Sequence, residues 1–121
     1  MMTVTVKNAN VYSQGKFIDA NIVIEDGIIV SVGSKVEGTI IDAEGKRCVA
    51  GYIDIHTHGG WGKDCMDASK EAIDTICRYH LYTGTTSFVP TTMTAAPEDI
   101  DEAVDNMRKY DDKYSRILGV H

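Results

Sequence analysis

The sequence lacks several features that would each indicate a particular class of protein. It has no long apolar span and residues 1–6 are mixed in character, so we expect neither a membrane-spanning helix nor a secretory leader. Its three cysteines are odd in number and form no Cys-x-x-Cys pair, which favours reduced thiols and a cytoplasmic location. With 12 basic and 18 acidic residues, the net charge of −6 argues against nucleic-acid or membrane partners, although a local site for a phosphorylated ligand stays open.

What remains is an ordinary globular composition, 43% apolar and 25% charged over 121 residues. Up to about residue 50, short β-type runs alternate with turn residues. Asp26-Gly27 lies between two apolar runs and predicts a hairpin, because glycine supplies the positive φ of a tight turn, and Glu44-Gly45 predicts another turn. The predicted strands cover residues 3–6, 20–25, 28–33, 39–42 and 47–50. We therefore expect a small β-sheet unit, in which nothing suggests chemistry.

After about residue 60 the apolar period lengthens to that of amphipathic helices. The first helix is predicted over residues 69–83, with Asp67 or Ser69 as its cap and Gly84 as its stop. Its apolar stripe consists of Ile73, Ile76, Cys77, His80 and Leu81. The second helix is predicted from Pro97 to about Tyr114, and its apolar stripe consists of Ile100, Ala103, Val104 and Met107.

These helices alternate with three apolar strands, predicted at residues 49–55, 85–90 and 116–121. Such alternation predicts a parallel sheet with helical crossovers. The first strand is apolar almost throughout, as parallel strands covered on both faces are, so we expect it to be buried. A closed (β/α)₈ barrel needs about 250 residues. The chain is therefore expected to hold at most two strand–helix units and the next strand of a larger protein.

The most informative motif is Asp54-Ile55-His56-Thr57-His58, at the C-terminal end of the first of these strands. Residues two apart in a strand point to the same face, so His56 and His58 project together and can both reach one metal ion. The C-terminal ends of parallel strands are also where α/β enzymes assemble their sites. We therefore predict that His56 and His58 ligate a divalent metal.

Several residues around the motif have two interpretations each. Asp54 shares the parity of the histidines, so it either orients a ligand histidine or is a hydrogen-bonded interior carboxylate. Gly60 and Lys63 lie in a glycine-rich segment that either covers a substrate, with Lys63 available to an anion, or is a mobile loop without direct contact. Cys65 is expected to be a plain thiol rather than a site residue. His80 is expected to be a packed, hydrogen-bonded helix residue rather than a ligand.

Three segments together resemble the metal-dependent amidohydrolase superfamily. Residues 51–60, with their His-x-His, resemble its first barrel strand. Within the superfamily, two further segments are similar to the N-acetylglucosamine-6-phosphate deacetylases. They are Gly84-Thr85-Thr86-Ser87-Phe88-Val89-Pro90-Thr91-Thr92-Met93-Thr94 and Leu118-Gly119-Val120-His121. The resemblance covers the whole chain and corresponds to the N-terminal portion of those enzymes.

The resemblance implies an α/β fold in which a TIM-type (β/α)₈ barrel accompanies a small β-sandwich made from both ends of a longer chain. Residues 1–50 would then be part of the sandwich domain. Residues 51–121 would be the first βαβαβ segment of the barrel, that is, about two βα units plus the third strand.

The resemblance also implies an activity, the hydrolysis of the acetamide of N-acetylglucosamine 6-phosphate to glucosamine 6-phosphate and acetate. One or two divalent ions, zinc or iron, would be held in part by His56 and His58. His121 matches a histidine that precedes a glutamate ligand in these enzymes, so it would line the site. The substrate would be a small amino-sugar phosphate, and the full-length protein a homo-oligomer. Because that glutamate, two later histidine ligands and the catalytic aspartate have no counterpart here, we assign no catalytic residue and expect this chain alone to be inactive.

Two other interpretations stay open at this point. Another hydrolase of the superfamily, dihydroorotase-like or deaminase-like, would share the His-x-His but is expected to lack the Gly-Thr-Thr-Ser…Met-Thr run in this form. Alternatively, the chain is a non-catalytic fragment that associates with other chains, because two open barrel units leave sheet edges and apolar helix faces uncovered.

Overall fold

A computed structural model describes all 121 residues and divides them into two compact units, Met1–Ala50 and Gly51–His121. No helix in the chain has the length and apolar character needed to cross a membrane. All three cysteines are free thiols.

The first unit is a five-stranded mixed sheet. Its strands are β1 (Thr3–Ser13), β2 (Lys16–Glu25), β3 (Ile28–Gly33), β4 (Thr39–Asp42) and β5 (Arg47–Cys48). The first three form an antiparallel meander, and both β4 and β5 pair in parallel with β1. Every strand predicted from the sequence is present, but β1 and β2 extend well beyond the predicted runs until they meet at a turn.

Tight turns with two successive positive φ angles organise this unit. Asp26-Gly27 joins β2 to β3 with φ of 46° and 84°, the type I′ pattern that fits hairpins, as predicted. Glu44-Gly45 also forms its predicted turn, with φ of 53° and 75°. Gln14-Gly15, which joins β1 to β2, was not predicted from the sequence. The alternation of side chains along β1 is broken at Asn8, where φ is 56° and the β1–β2 register shifts. The predicted strand therefore ended at residue 6 and did not include the second half of β1.

The first unit buries side chains on both faces of its sheet. Val23 and its cross-strand partner Thr5 are 0% exposed, and Ile22, next to Val23 in β2, is buried on the opposite face. Ile22 belongs to the main apolar cluster, whose other buried members are Ala9, Val11 and Ala20. Apolar side chains on β3 and β4 are 45% to 67% exposed; they are Ile28, Ile29, Val30, Val32, Ile40 and Ile41. Much of the apolar surface of this sheet is therefore uncovered within the chain.

The second unit is a parallel sheet with helical crossovers, as predicted. Its strands lie in the order β6 (Tyr52–Thr57), β9 (Thr85–Pro90), β10 (Arg116–Ile117). Helix α1 (Lys70–Tyr82) connects β6 to β9, and helix α2 (Pro97–Arg108) connects β9 to β10. Between β6 and α1 lie the short strands β7 (Gly59–Gly60) and β8 (Lys63–Asp64) and a 3₁₀ turn, Cys65–Asp67.

The two helices begin where the sequence predicts, but α2 ends early. The Ser69 hydroxyl caps α1 by accepting the Ala72 N–H at 3.1 Å, and Gly84 follows the helix with φ of 86°. Helix α2 begins at Pro97 and ends at Arg108, not near Tyr114. Tyr110 and Tyr114 keep the helical spacing from Met107 and pack against the core, but Asp112 has a φ of 54°, which does not fit an α-helix.

Strand β6 departs from the prediction that it is buried on both faces. Tyr52, Ile53 and Ile55 are 69%, 63% and 72% exposed. The strand lies at the edge of the three-stranded sheet, with β9 as its only neighbour, so one long side has no partner. The core of this unit lies elsewhere, between the two helices and β9, and consists of Cys65, Ile73, Ile76, Cys77, Phe88, Ala103 and Met107.

Candidate metal centre

The two histidines of the motif lie side by side at the C-terminal end of β6. Their Nε2 atoms are 3.3 Å apart, and the ring planes are nearly perpendicular, at 83°. Two imidazole nitrogens bound at about 2.0–2.1 Å to a tetrahedral metal ion lie about 3.3 Å from each other. The predicted shared direction of His56 and His58 is therefore present, at a spacing that suits one ion.

The neighbouring strand fixes the proton of His58. Its Nδ1 atom lies 3.1 Å from the main-chain carbonyl oxygen of Thr91, which directly follows β9. A carbonyl oxygen can only accept, so we assign the proton to Nδ1, and the lone pair of the neutral ring is then on Nε2. Histidines that bind metals commonly donate their other ring N–H in this way.

Thr91 was not identified from the sequence, where it served only as part of the resemblance. It is 3% exposed. Its N–H donates to the Thr57 carbonyl oxygen at 2.7 Å, and its hydroxyl accepts the Thr57 N–H at 3.2 Å. Its position could have indicated a role in the site, because Thr91 is a polar residue directly after a parallel strand, and site residues gather at that end of the sheet.

Asp54 acts on the main chain rather than on an imidazole ring. Its Oδ1 atom accepts the backbone N–H of His56 at 3.0 Å. The β6–β9 register slips between Asp54 and Thr57, so the alternation of faces does not carry from Asp54 through to the histidines. In that register Asp54 is the partner of Phe88, on the side of the sheet that packs against the helices. Of the two interpretations, the structure therefore favours the hydrogen-bonded carboxylate.

His121 brings a third imidazole close to the pair. Its ring centroid is 4.8 Å from that of His56. The main chain of His121 is tied to the end of β9, since its N–H donates to Pro90 and its carbonyl oxygen accepts the Thr92 N–H, both at 3.0 Å. Even so, no group of three or more His, Cys, Asp or Glu side chains in the chain is arranged to hold a metal ion. His56 and His58 are thus a ligand pair, one fewer than the three protein ligands of a catalytic zinc site.

Cys65 does not supply the missing ligand. Its Sγ lies 3.7 Å from the Thr57 carbonyl oxygen, and its side chain is buried. Burial raises the pKa of the Cys65 thiol to about 11, so the thiolate that a metal requires is disfavoured at neutral pH.

The glycine-rich segment after the motif forms a short hairpin packed on α1. Strands β7 and β8 pair through a turn at Trp61-Gly62 with φ of 49° and 76°. A Cβ on Gly60 would lie 2.3 Å from the ring of Tyr79, so only glycine fits there. Lys63 is paired with Glu71 of α1 at 3.1 Å. Roles for Gly60 and Lys63 toward a substrate stay predictions.

His80 is packed as predicted, but the hydrogen bond expected of it is missing at one ring nitrogen. The ring is 3% exposed and stacks on Phe88 with centroids 4.3 Å apart. Its Nε2 atom is buried without a partner. Burial lowers the pKa of His80, and the nearby Asp54 carboxylate opposes that shift.

Known proteins resemble this chain over most of its length, although no protein-family profile matches it. It is 31% identical to N-acetylglucosamine-6-phosphate deacetylase from Lysinibacillus sphaericus over 125 residues, covering 98% of the chain and 31% of that enzyme. It is 34% identical to dihydroorotase from Lactobacillus helveticus (strain DPC 4571) over 87 residues, covering 71% of the chain and 20% of that enzyme. The crystal structure of N-acetylglucosamine-6-phosphate deacetylase from Pasteurella multocida superposes with a TM-score of 0.85 at 27% identity, covering 99% of this chain and 34% of that one.

These relatives belong to one class, the amidohydrolase-type enzymes. By its similarity to them, this chain belongs to a family of enzymes. Within that class, the resemblance to the N-terminal portion of the N-acetylglucosamine-6-phosphate deacetylases, first indicated by the motifs, is confirmed. The chain spans about a third of the length of the deacetylases it matches.

Proposed function

We propose that this chain is the N-terminal region of a metal-dependent deacetylase that hydrolyses the acetamide of N-acetylglucosamine 6-phosphate to glucosamine 6-phosphate and acetate. The observation that carries the proposal is the chain-wide likeness to the Pasteurella multocida deacetylase, with a TM-score of 0.85 over 99% of the chain. The His-x-His geometry at the strand end is consistent with the metal chemistry that such a reaction needs.

The proposal includes the architecture implied by the resemblance. Residues 1–50 would belong to a β-sandwich, and the exposed apolar side chains of β3 and β4 are what a second layer of such a domain would cover. Residues 51–121 would form the first part of a (β/α)₈ barrel. The order β6-β9-β10 supports this, because strands that follow one another in the chain are also neighbours in the sheet, as in a barrel.

Together with ligands from outside these residues, His56 and His58 would hold zinc or iron in a site of one or two divalent ions. A metal bound there would supply a nucleophile at neutral pH and polarise the amide carbonyl. The part played by the chain is to present both Nε2 atoms toward one point, with His58 kept in one tautomer by Thr91. A hydrogen bond between the two rings would give a similar Nε2–Nε2 distance, so it is the likeness to the deacetylases that favours a metal.

The direct test is a substrate assay on the complete protein that contains this region. Acetate release from N-acetylglucosamine 6-phosphate is expected, with the non-phosphorylated sugar as the matched control. Absence of acetate release from a folded, metal-loaded protein would contradict the proposal.

A second candidate is a dihydroorotase-like reaction, which is favoured by the 34% identity to the Lactobacillus helveticus enzyme over 71% of the chain. Both candidates require hydrolysis of an amide, so the metal pair does not separate them. Ring opening of dihydroorotate by the same preparation, without acetate release from the amino sugar, would establish the second candidate in place of the first.

A further inference from the structure

Thr91 connects the two strand ends that carry the histidine pair. It directly follows β9, while His56 and His58 flank Thr57, the last residue of β6. Thr91 exchanges two hydrogen bonds with Thr57, donating from its N–H at 2.7 Å and accepting with its hydroxyl at 3.2 Å. The residue between the two histidines is therefore held from both its N–H and its carbonyl oxygen.

The hydroxyl of Thr91 both accepts and donates a hydrogen bond. Besides accepting the Thr57 N–H, it donates to the Val89 carbonyl oxygen at 3.3 Å. A hydroxyl in this arrangement has one orientation for its hydrogen, because its single donor is already committed. Since Thr91 is 3% exposed, water cannot easily replace these bonds.

The carbonyl oxygen of the same residue contacts His58. It accepts from Nδ1 at 3.1 Å, which directs the Nε2 lone pair of His58 toward His56. One residue thus contacts both the main chain between the histidines and a ring nitrogen of His58.

We propose that Thr91 is a positioning residue for the histidine pair, holding Thr57 through its hydroxyl and keeping His58 in the Nδ1–H tautomer through its carbonyl oxygen. The consequence for metal binding rests on the proposed function. The tautomer of His58 does not depend on that function and can be measured without metal.

The experiment compares the wild-type chain with Thr91→Val, which is nearly isosteric but lacks the hydroxyl, and Thr91→Ser, which restores it. The matched control is Thr5→Val in the first unit. Thr5 is 0% exposed and its hydroxyl likewise bridges main-chain groups, donating to the Glu37 carbonyl oxygen at 2.6 Å and accepting the Glu37 N–H at 2.9 Å. Zinc affinity is measured by competition with a chromophoric chelator, and the ring tautomers of the metal-free chain by ¹⁵N NMR.

Thr91→Val is expected to weaken zinc binding about ten- to a hundredfold, as loss of a partner that orients a ligand does, while Thr91→Ser retains most of the affinity. Thr5→Val is expected to lower stability without changing zinc affinity. In the metal-free chain, wild-type His58 should be the Nδ1–H tautomer. Thr91→Val keeps the carbonyl acceptor but loses the hydroxyl that holds it beside Thr57, so a mixture of tautomers is expected in that variant.

The proposal is overturned if Thr91→Val binds zinc like Thr5→Val and keeps the His58 tautomer. It is also overturned if wild-type His58 is mainly the Nε2–H tautomer, a result that requires no variant to fold. If wild-type zinc binding does not exceed that of a His56→Ala, His58→Ala chain, the metal pair of the proposed function fails. The tautomer measurement then decides the role of Thr91 separately.

Discussion

The side chain of Asp54 is hydrogen-bonded to the main chain of His56, at the point where the β6–β9 register shifts. The carboxylate accepts the His56 N–H two residues along, a bond typical of an aspartate that shapes a local turn. Asp54 therefore influences the direction of the His56 ring without contacting it.

Asp54→Ala is expected to weaken zinc binding by about tenfold, because the His56 main chain loses the acceptor that holds it. Asp54→Asn keeps an acceptor oxygen and should bind nearly as well as the wild type. Asp42→Ala is the matched control, since Asp42 makes the same bond to the N–H of Glu44 in the first unit, at 2.8 Å. Chelator competition measures all three, and equal affinities for Asp54→Ala and Asp42→Ala would refute the assignment.

His80 predicts a pH dependence of stability. Its pKa is lowered by burial in the folded chain, so the unfolded chain binds the proton more readily. The stability contributed by neutral His80 is therefore complete above its unfolded pKa of about 6.5 and is lost as the pH falls below it.

His80→Phe preserves an aromatic ring against Phe88 and removes the titration. The free energy of unfolding of this variant, measured with urea, should fall less between pH 7 and pH 5.5 than that of the wild type. His56→Ala, which removes an exposed histidine, is the control. Equal pH dependence in the wild type and His80→Phe would show that His80 is not the responsible group.

At the scale of elements, helices and strands with a regular apolar period could be predicted from the sequence, whereas interruptions of that period could not. The apolar stripe and Ser69 cap of α1 follow the 3.6-residue period, so the helix was found nearly to the residue. The shared direction of His56 and His58 likewise follows from the two-residue period of a strand. The two interpretations of Asp54 could not be separated from the sequence, because the register slip depends on β9, a strand more than twenty-five residues away along the chain. The exposure of β6 depends on how many strands lie beside it in the sheet, and the residue pattern within one strand does not specify that number.

The β7–β8 hairpin is held against α1 by close contact at Gly60. Gly60→Ala would place a methyl group 2.3 Å from the Tyr79 ring, and we expect it to lower the free energy of unfolding by about 1–3 kcal/mol. Gly33→Ala is the control, because a Cβ there meets nothing within 4 Å and its φ is not positive. Urea unfolding of both variants checks this, and comparable stabilities would mean that the hairpin is not packed as described.

At the scale of the whole molecule, the chain has only part of a metal site and leaves apolar side chains and a sheet edge uncovered. Two imidazoles are present, but no third metal-binding side chain joins them. The edge strand β6 and the apolar side chains of β3 and β4 are uncovered. We therefore expect the 121-residue chain alone to release no acetate from N-acetylglucosamine 6-phosphate above a His56→Ala, His58→Ala control. Acetate release above that control would show that the site is complete without further ligands. The homo-oligomer and the cytoplasmic location stay predictions.

The central claim is that His56 and His58 hold the metal of a deacetylase, and it is tested by metal content and acetate release in the complete protein with and without both histidines. The account predicts that His56→Ala, His58→Ala loses both metal occupancy and activity on N-acetylglucosamine 6-phosphate while remaining folded. A double variant that keeps its metal and its full rate would contradict the assignment of the pair.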